Sequence, residues 1–390
     1  MYTGRLVFAQ VMDLLPIHEF RKCVRRYQGD YKVRGFSCLD QFLCMAFAQL
    51  TYRESLRDIE SCLRAMAPRL YHMGIRGRIS RSTLADANET RDWRIYGDFA
   101  KVLIEIARPL YLHEEFGVRL KQPAYALDAT TIDLCLSLFP WAHFHHHKAA
   151  IKLHTLINLR GSIPEFVYVS DARTYELIAL DLLLFQPGAF YVMDRAYTDF
   201  ERLYRIHQAS AFFVIRAKNT LDVRRCLSHS VDTTTGLRSD QIVYFNGRVS
   251  SARYPERLRR VSFFDAANHR HLVFLTNNFS VSPLTIAQLY KARWRIEIFF
   301  KWIKQHLRIK AFFGTSPNAV KTQVWIAVSV YVLVAILKKR LKLNHNLYTI
   351  LQVLSISQFE REPLYDLLSQ QLSILPENTS PSNQLTFFNL

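Results

Sequence analysis

The sequence predicts an α/β protein in which helices precede and follow a central sheet. Three changes of pattern support this class. Apolar residues recur every three or four positions up to about residue 115, alternate with polar residues from about residue 124, and return to helical spacing after about residue 284. With 390 residues, 49% of them hydrophobic, the chain is long enough for two or three domains and a core of full size.

The chain is strongly basic. Its 51 Lys and Arg residues against 33 Asp and Glu residues give a formal net charge of +18 at pH 7. The electrostatic field of so large a positive charge favours a polyanionic partner, most often nucleic acid, over the substrates of an ordinary metabolic enzyme. An anionic membrane surface is the competing partner. We expect no membrane partner, because the basic residues are spread along the chain instead of clustering beside one amphipathic element.

Cysteine usage and the apolar runs bear on the compartment. The six cysteines form no CxxC pair and no regular framework, which predicts reduced thiols in a cytoplasmic protein. The first ten residues, MYTGRLVFAQ, have the pattern of neither a signal peptide nor a lipidation site. The apolar run at 324–337 has 14 residues, fewer than the roughly 20 that cross a bilayer, so we predict a buried helix there.

Residues 1–118 form the first predicted domain, which is all helical and expected to bind DNA. Within it, two helices at 55–67 and 80–91 are joined through the turn GIRGR. Helix N-termini and arginines suit phosphate contacts, so this pattern predicts a helix-turn-helix. An ordinary turn of a small helical domain is the open alternative. Three basic residues stand beside the start of the second helix: Arg76, Arg78 and Arg81.

Residues 119–217 form the first part of the predicted core. Strand-like and helix-like segments follow one another in the order β, β, β, α, β, α, β. This order is typical of a ribonuclease H-like fold, in which the first strand lies beside the fourth. The first segment comprises YALDATTIDL at 125–134 and the alternating residues at 132–138. The others lie, in order along the chain, at 151–159, 166–170, 175–185, 189–194, 198–210 and 211–216.

Three further regions complete the predicted organisation. Residues 218–283 are rich in polar turns around the short runs QIVYF, RVSFF and HLVFL, which predicts a β-rich insertion. Residues 284–312 are expected to complete the core with a long helix. Residues 313–390 are expected to form C-terminal helices and a loose tail that is rich in Pro and Ser.

The segment 286–310 contains no Pro or Gly, which predicts one long helix. Most of its surface is apolar, including Trp294 and Ile298, so we expect it to be mostly buried. Its polar stripe holds a single carboxylate among cations. Because an unpaired buried charge costs several kcal/mol, the stripe is expected to face a groove or a ligand, the alternative being a solvated basic edge. The stripe residues are Tyr290, Arg293, Glu297, Lys301 and Lys304.

Three carboxylates are predicted to converge. If the strand order is right, Asp128 on the first strand and Asp194 at the end of the fourth lie side by side, and Glu297 joins them from the long helix. Such a trio is a hard-oxygen site for Mg²⁺ or Mn²⁺, and two ions can clamp the attacking and leaving oxygens of a phosphoryl transfer. Taken singly, each aspartate could equally be a strand-end or turn residue. The competing carboxylates are Asp133, Asp171, Asp181 and Asp199.

The spacing along the long helix is specific. From Tyr290 to Lys304 it follows Y-x2-R-x3-E-x6-K, which resembles the fingerprint of the DDE transposases of bacterial insertion sequences, in the branch called the insertion-sequence-four group. Asp128 in LDATTIDLCL and Asp194 in YVMDRAYTDF resemble the first and second acidic motifs of that family. The likeness extends over nearly the whole chain.

The resemblance implies a ribonuclease H-like catalytic core and a metal-dependent cut-and-paste reaction. The three carboxylates would hold two Mg²⁺ ions, with Mn²⁺ able to substitute, first for hydrolysis at the ends of the element and then for attack of the freed 3′-hydroxyl on target DNA. The implied partners are double-stranded DNA, as terminal inverted repeats and target, and a second copy of the chain on that DNA. The implied location is the bacterial cytoplasm, at the nucleoid. Phosphates near the cut would be held by Tyr290, Arg293, Lys301 and Lys304.

Two positions depart from the family pattern. DRAY stands where DRGY is usual, which places Ala196 in a glycine position, and Ala149 also stands where glycine is usual. If either glycine serves a left-handed turn, alanine would strain it by roughly 1 kcal/mol or more. Two alternatives therefore accompany the transposase interpretation: a catalytically impaired derivative that only binds DNA, and a ribonuclease H-like nuclease that cuts without joining.

Overall fold

The structure is a computed structural model of the chain and describes residues 4–76, 79–145, 148–218, 220–306 and 312–370. Within these ranges a central sheet has hydrophobic cores on both faces. An N-terminal helical domain precedes the sheet, and further helices follow it. The predicted α/β class, with helices at both ends, is confirmed.

Six α-helices lie in the described part of the N-terminal domain. The third of them begins at a capping box, in which Ser37 Oγ accepts from the N–H of Asp40 and the Asp40 carboxylate accepts from the N–H of Ser37. Nearly every residue of this helix is buried, so it lies at the centre of the domain. The helices are α1 Val7–Met12, α2 Ile17–Arg26, α3 Cys38–Leu50, α4 Leu56–Ala65, α5 Arg81–Thr90 and α6 Arg94–Leu110.

The connection between α4 and α5 differs from the prediction. The prediction joined these helices through the GIRGR turn. The structure adds two 3₁₀ turns before it, Ala67–Arg69 and Tyr71–Met73. Pro68 cannot donate a helical hydrogen bond, and Gly74 takes a left-handed φ of +81°, so the backbone changes direction more than once. The two predicted helices are present, but their connection is longer than the GIRGR turn alone, and a DNA-binding role for the pair stays a prediction.

Ten strands form one mixed sheet in the described part of the chain. Their order across the sheet is β2-β3-β1-β5-β6-β10-β9-β8-β7, and β4 pairs with β3. The strands are β1 Ala124–Leu134, β2 His143–His145, β3 Lys148–Asn158, β4 Ile163–Asp171, β5 Phe190–Met193, β6 Phe212–Arg216, β7 Val223–His229, β8 Leu237–Phe245, β9 Leu258–Asp265 and β10 Arg270–Thr276.

Strand β1 lies between β3 and β5. It runs antiparallel to β3, with Asp128 opposite Thr155, and parallel to β5, with Leu127 beside Met193. The strand predicted as the first therefore neighbours the strand predicted as the fourth, as expected. The predicted alternation at 132–138 was wrong beyond Leu134, where β1 ends and the chain turns, whereas the residues around Asp128 lie in β1, which begins at Ala124.

Strands β7 to β10 supply the β structure expected between residues 218 and 283. They extend the central sheet, because β10 pairs antiparallel with β6. A buried ion pair ties β8 to β9: Arg259 donates to both oxygens of Asp240, at 2.8 Å each, and its third nitrogen donates to the carbonyl of Val281 at 2.6 Å. Both side chains are less than 10% exposed.

The remaining helices cover the two faces of the sheet and the C-terminal region. α7 and α8 contribute to the core on one face, and α10, α11 and α12 to the larger core on the other. These helices are α7 Ile178–Leu182, α8 Phe200–Gln208, α9 Arg248–Arg253, α10 Pro283–Ala292, α11 Trp294–His306, α12 Pro317–Arg340, α13 Leu347–Ser357 and α14 Leu364–Gln370.

Helix α12 is the central helix of the larger core. It is 24 residues long, with a mean hydropathy of 1.9 over its most apolar window, so by length and composition it could cross a membrane. However, 94% of that window is buried inside the protein, where α12 packs against α6, α3 and α5. The predicted buried helix is confirmed, and it starts at Pro317, earlier than the apolar run indicated.

The first helix is held by the segment between α13 and α14. The backbone N–H groups of Val7 and Phe8 donate to the carbonyls of Glu360 and Gln358, at 2.9 and 3.1 Å. The side chain of Gln10 adds a third link, because its amide nitrogen donates to the carbonyl of Glu362. The first helix is thus fixed by residues more than 300 positions away.

The predicted long helix is divided in two. The segment at 286–310 contributes to α10 and α11, which meet at Arg293, and residues 307–310 lie outside the described residues. Around Arg293 the hydrogen bonds connect residues three apart, which tightens the backbone into a 3₁₀-like turn. Trp294 and Ile298 are 49% and 52% exposed, so the expectation that they are buried is wrong.

Candidate active site

Asp128 and Asp194 lie side by side at the carboxyl end of β5. Leu127 and Met193 are paired across the parallel strands β1 and β5. Asp128 directly follows Leu127, and Asp194 directly follows Met193. Asp128 continues within β1, whereas Asp194 follows the last residue of β5 and caps a short 3₁₀ turn. Each carboxylate accepts a hydrogen bond from the N–H of the residue after it, at 2.8 and 2.7 Å.

Arg293 brings Glu297 to this pair. Its Nη1 donates to Asp128 Oδ2 at 2.6 Å, and its Nη2 donates to Glu297 Oε1 at 2.7 Å. One guanidinium therefore bridges a strand residue and a helix residue that are far apart in sequence. The side chains are partly buried, with exposures of 14% for Arg293, 20% for Asp128 and 33% for Glu297. Charge-assisted hydrogen bonds in such a setting are strong.

Tyr290 reaches the third carboxylate. Its hydroxyl donates to Asp194 Oδ1 at 3.1 Å. The ring packs on Phe274 of β10, with centroids 4.8 Å apart, and Arg293 lies over the ring at 5.7 Å from its centroid. The last turn of α10 is thereby held against the sheet, and Tyr290 and Arg293 together contact all three carboxylates.

Burial dominates the electrostatics of Asp128. It raises the pKa of this carboxyl group to about 6, although the guanidinium of Arg293 acts in the opposite direction. The negative charges of Glu297 and Asp194 raise the same pKa further, so the three carboxylates interact electrically. Burial likewise raises the pKa of Tyr290 to about 12, which keeps its hydroxyl a hydrogen-bond donor.

Three buried polar groups around the carboxylates lack a hydrogen-bond partner among the residues the structure describes. They are Thr155 Oγ1, Tyr197 OH and Arg293 Nε. Thr155 is opposite Asp128 on β3, and the charges of Asp128, Asp194 and Arg293 all act on Tyr197. Neither Thr155 nor Tyr197 was a candidate from sequence. In the sequence, Thr155 was marked only by its place on a strand that could pair with that of Asp128, and Tyr197 only by its place in the DRAY motif.

The donor chemistry of the site suits a hard divalent cation. Asp128, Asp194 and Glu297 offer carboxylate oxygens, which Mg²⁺ and Mn²⁺ prefer. As the side chains stand, no three acidic, histidine or cysteine residues of the described chain are grouped closely enough to hold a metal ion. Arg293 instead donates hydrogen bonds to one oxygen of Asp128 and one oxygen of Glu297. The oxygen donors fit a metal ion, and the guanidinium is its competitor.

Four other predicted DNA-contacting residues lie in the described part of the chain. Lys301 is exposed one turn after Glu297, and Lys304 is half-buried in the next turn. In the N-terminal domain, Arg81 is exposed at the first position of α5. The N–H of Arg76 donates to Asp40 of α3 at 3.0 Å, which fixes the backbone before α5. Arg78 lies outside the described residues.

The two alanines that replace family glycines are not strained. Neither Ala149 nor Ala196 has a positive φ. Ala149 is buried within strand β3, and Ala196 lies in the short 3₁₀ turn Arg195–Tyr197. Neither position therefore requires a left-handed backbone in this fold.

Two family models match the chain. The one described as "Transposase DDE domain" matches residues 119–333, a range that contains Asp128, Asp194 and Glu297. The one described as "Domain of unknown function (DUF4372)" matches residues 3–76.

Relatives with curated descriptions are also similar. A "Probable transposase for insertion sequence element IS5377" of Geobacillus stearothermophilus is 33% identical over 232 residues, 59% of this chain and 60% of the relative. A "Putative transposase y4zB" of Sinorhizobium fredii is 29% identical over 65% of this chain and 70% of the relative. A "Putative transposase for insertion sequence element IS4SA" of Synechocystis is 23% identical over 82% of this chain and 89% of the relative. The match thus spans less than two thirds of the first relative.

Among solved structures, the piggyBac transposase synaptic complex with hairpin DNA is similar at a TM-score of 0.45 and 9% identity. That similarity covers 97% of this chain and 83% of the piggyBac chain.

Proposed function

The chain belongs to the family of the transposase DDE domain, and on this premise we propose that it is a DNA transposase of an insertion sequence. In this proposal it hydrolyses DNA at the ends of the element and then joins the freed 3′-hydroxyl to target DNA. The observation that carries the proposal is the contact of Arg293 with both Asp128 and Glu297, beside Asp194. That contact joins Glu297, the acidic residue of the spacing pattern, to Asp128 of the sheet.

We assign the three carboxylates to a metal site of a ribonuclease H-like core. The position of β1 between antiparallel β3 and parallel β5 supports this core. Asp128, Asp194 and Glu297 would hold two Mg²⁺ ions, or Mn²⁺ in their place. When bound, such ions activate a water or a 3′-hydroxyl and stabilise charge on the leaving oxygen. Membership of the insertion-sequence-four group stays a prediction from the spacing.

The partners follow from charge and from the surroundings of the carboxylates. A net charge of +18 supports binding to the phosphates of terminal repeats and target DNA. Near the cut, phosphates would be held by Tyr290, Arg293, Lys301 and Lys304, and the helical domain would contribute Arg76, Arg78 and Arg81. We propose that two copies of the chain act together on DNA, because two ends must be cut.

A cleavage assay tests the proposal. Labelled DNA from the ends that flank the gene is incubated with wild type, Asp128→Ala, Asp194→Ala or Glu297→Ala, in Mg²⁺, Mn²⁺ or Ca²⁺. Asp133→Ala is the matched control, because Asp133 is an exposed acid on the same strand as Asp128. We expect nicks at the element boundary with Mg²⁺ or Mn²⁺ in wild type and control, and none in the other three. Cleavage that survives Glu297→Ala contradicts the assignment.

The same assay separates the two alternatives. Joined products identify a transposase, whereas cutting without joining identifies a nuclease. Binding without cutting under every metal identifies an inactive derivative. Because Ala149 and Ala196 are not in the left-handed region, the strain that motivated the inactive derivative is lacking.

A further inference from the structure

The guanidinium of Arg293 occupies carboxylate oxygens that a metal ion would need. Its Nη1 and Nη2 each bind a different carboxylate, Asp128 Oδ2 and Glu297 Oε1, at 2.6 and 2.7 Å. The Arg293 side chain is only 14% exposed, so solvent weakens these bonds little. A divalent ion that binds Asp128 and Glu297 would lie beside this cation and compete with it for Asp128 Oδ2 and Glu297 Oε1.

The same guanidinium is incompletely satisfied where it lies. Its Nε is buried and has no hydrogen-bond partner among the described residues. It makes one bond to each of two carboxylates, not the two parallel bonds to a single carboxylate or phosphate that a guanidinium favours. A DNA phosphate could accept two N–H groups from one side and so offer Arg293 a better partner.

The fold places Arg293 where its side chain can leave the carboxylates and bind another partner. It stands at the tightened turn where α10 meets α11, with the exposed side chain of Trp294 beside it in sequence. Tyr290 holds Asp194 independently, and its ring packs on Phe274. Withdrawal of the guanidinium therefore leaves the last turn of α10 anchored to the sheet.

We propose that Arg293 is a positioning residue that couples metal binding to DNA binding. In the free protein it holds Asp128 and Glu297 together and blocks their oxygens. When DNA binds, a backbone phosphate takes the guanidinium, and the released carboxylates accept the metal ion. The inference rests on the proposed function, since it takes these carboxylates as the metal site of a DNA reaction. It predicts that each ligand strengthens the binding of the other.

Mn²⁺ binding measures this coupling without catalysis. Free Mn²⁺ is followed by electron paramagnetic resonance in titrations of the full chain, alone and with a duplex from the DNA that flanks the gene. In wild type we expect the duplex to tighten Mn²⁺ binding by about 5- to 150-fold, the usual range of coupling between two sites. In Arg293→Gln we expect Mn²⁺ to bind more tightly without DNA by a factor in the same range, and the duplex to add little.

The controls separate the coupling from general electrostatics and from misfolding. Lys291→Gln removes one positive charge from an exposed position of α10 and is expected to behave as wild type. Arg293→Lys keeps the charge but replaces the planar fork of the guanidinium with a single ammonium, which holds the two carboxylates less firmly. It serves if Arg293→Gln does not fold, and it too is expected to bind Mn²⁺ more tightly than wild type without DNA.

Two results overturn the inference: Mn²⁺ affinity in the Arg293 variants no higher than in wild type, or a full DNA effect in Arg293→Gln. Failure of the proposed function looks different, because Mn²⁺ binding would then be the same in Glu297→Ala as in wild type. Loss of Mn²⁺ binding in Glu297→Ala, with no gain in Arg293→Gln, refutes the coupling alone.

Discussion

Replacement of Asp128 by asparagine is expected to stabilise the metal-free protein at neutral pH while abolishing cleavage. Burial raises the pKa of Asp128 from its ordinary value of 3.8 to about 6, and the side chain is only 20% exposed. A rise of about two units corresponds to about 3 kcal/mol of folding free energy that the protein loses when this group ionises. Asparagine has a similar shape and cannot ionise, so this loss disappears.

The expected effect has a definite pH dependence. Because the pKa of Asp128 is higher in the folded than in the unfolded chain, the folded protein binds more protons between about pH 4 and pH 6. The stability of wild type therefore falls as the pH rises through this window. The gain from Asp128→Asn should be about 3 kcal/mol at pH 7.5, about half of that at pH 5, and absent below about pH 4.

Urea unfolding followed by tryptophan fluorescence, in EDTA at pH 7.5 and pH 5, measures this gain. Asp133→Asn on the same strand is the control, and we expect it to stay within about 0.5 kcal/mol of wild type because Asp133 is exposed. Destabilisation by Asp128→Asn at pH 7.5, or an equal shift at both pH values, would refute the reasoning. Either outcome would mean that the ion pair with Arg293 outweighs the burial of the carboxylate.

Three further predictions follow from other contacts. Asp240→Ala should lower the free energy of unfolding by about 3–5 kcal/mol in urea titrations, since it leaves the buried charge of Arg259 unpaired. Tyr290→Phe keeps the ring but removes the donor to Asp194, and should weaken Mn²⁺ binding by about tenfold or more in the resonance titration. Ala196→Gly should not raise the cleavage rate, because this residue has no left-handed φ, and should lower stability by about 0.5–1 kcal/mol.

Matched substitutions provide the comparisons for these three. Asp222→Ala changes an exposed acid of the same strand-rich segment. A loss of stability as large as that of Asp240→Ala would contradict the special role of the buried pair. Tyr175→Phe alters a tyrosine that is 84% exposed, and should leave Mn²⁺ binding unchanged. A clear gain of cleavage in Ala196→Gly would show that the family glycine serves the reaction.

Local pattern predicted the strands of the core well, except for the bounds of β1. Alternation and the apolar run before Asp194 are properties of each strand taken by itself, and the order of segments was enough to place Asp128 beside Asp194. The pairing of β10 with β6 could not be predicted in this way, because strand neighbours distant in sequence are chosen by the tertiary fold. The insertion therefore extends the sheet in a manner no local pattern indicated.

Helical spacing was a weaker guide to the site than to the fold. It aligned Tyr290, Arg293 and Glu297 on one face, and this alignment is compatible with their contacts. It could not predict the tightened turn at Arg293, since no Pro or Gly marks it, nor the exposure of Trp294. It also could not choose between phosphates and carboxylates as partners of Arg293, because that depends on what the opposing strand presents.

The burial of α12 has a consequence for the order in which the protein can be made. The apolar faces of α3, α5 and α6 are covered by a helix that begins only at Pro317, and the first helix is fixed by carbonyls near residue 360. A ribosome therefore synthesises most of the chain before the N-terminal domain can close. Until then the nascent helices expose their apolar faces, so a chain cut short before Pro317 should need a chaperone or aggregate.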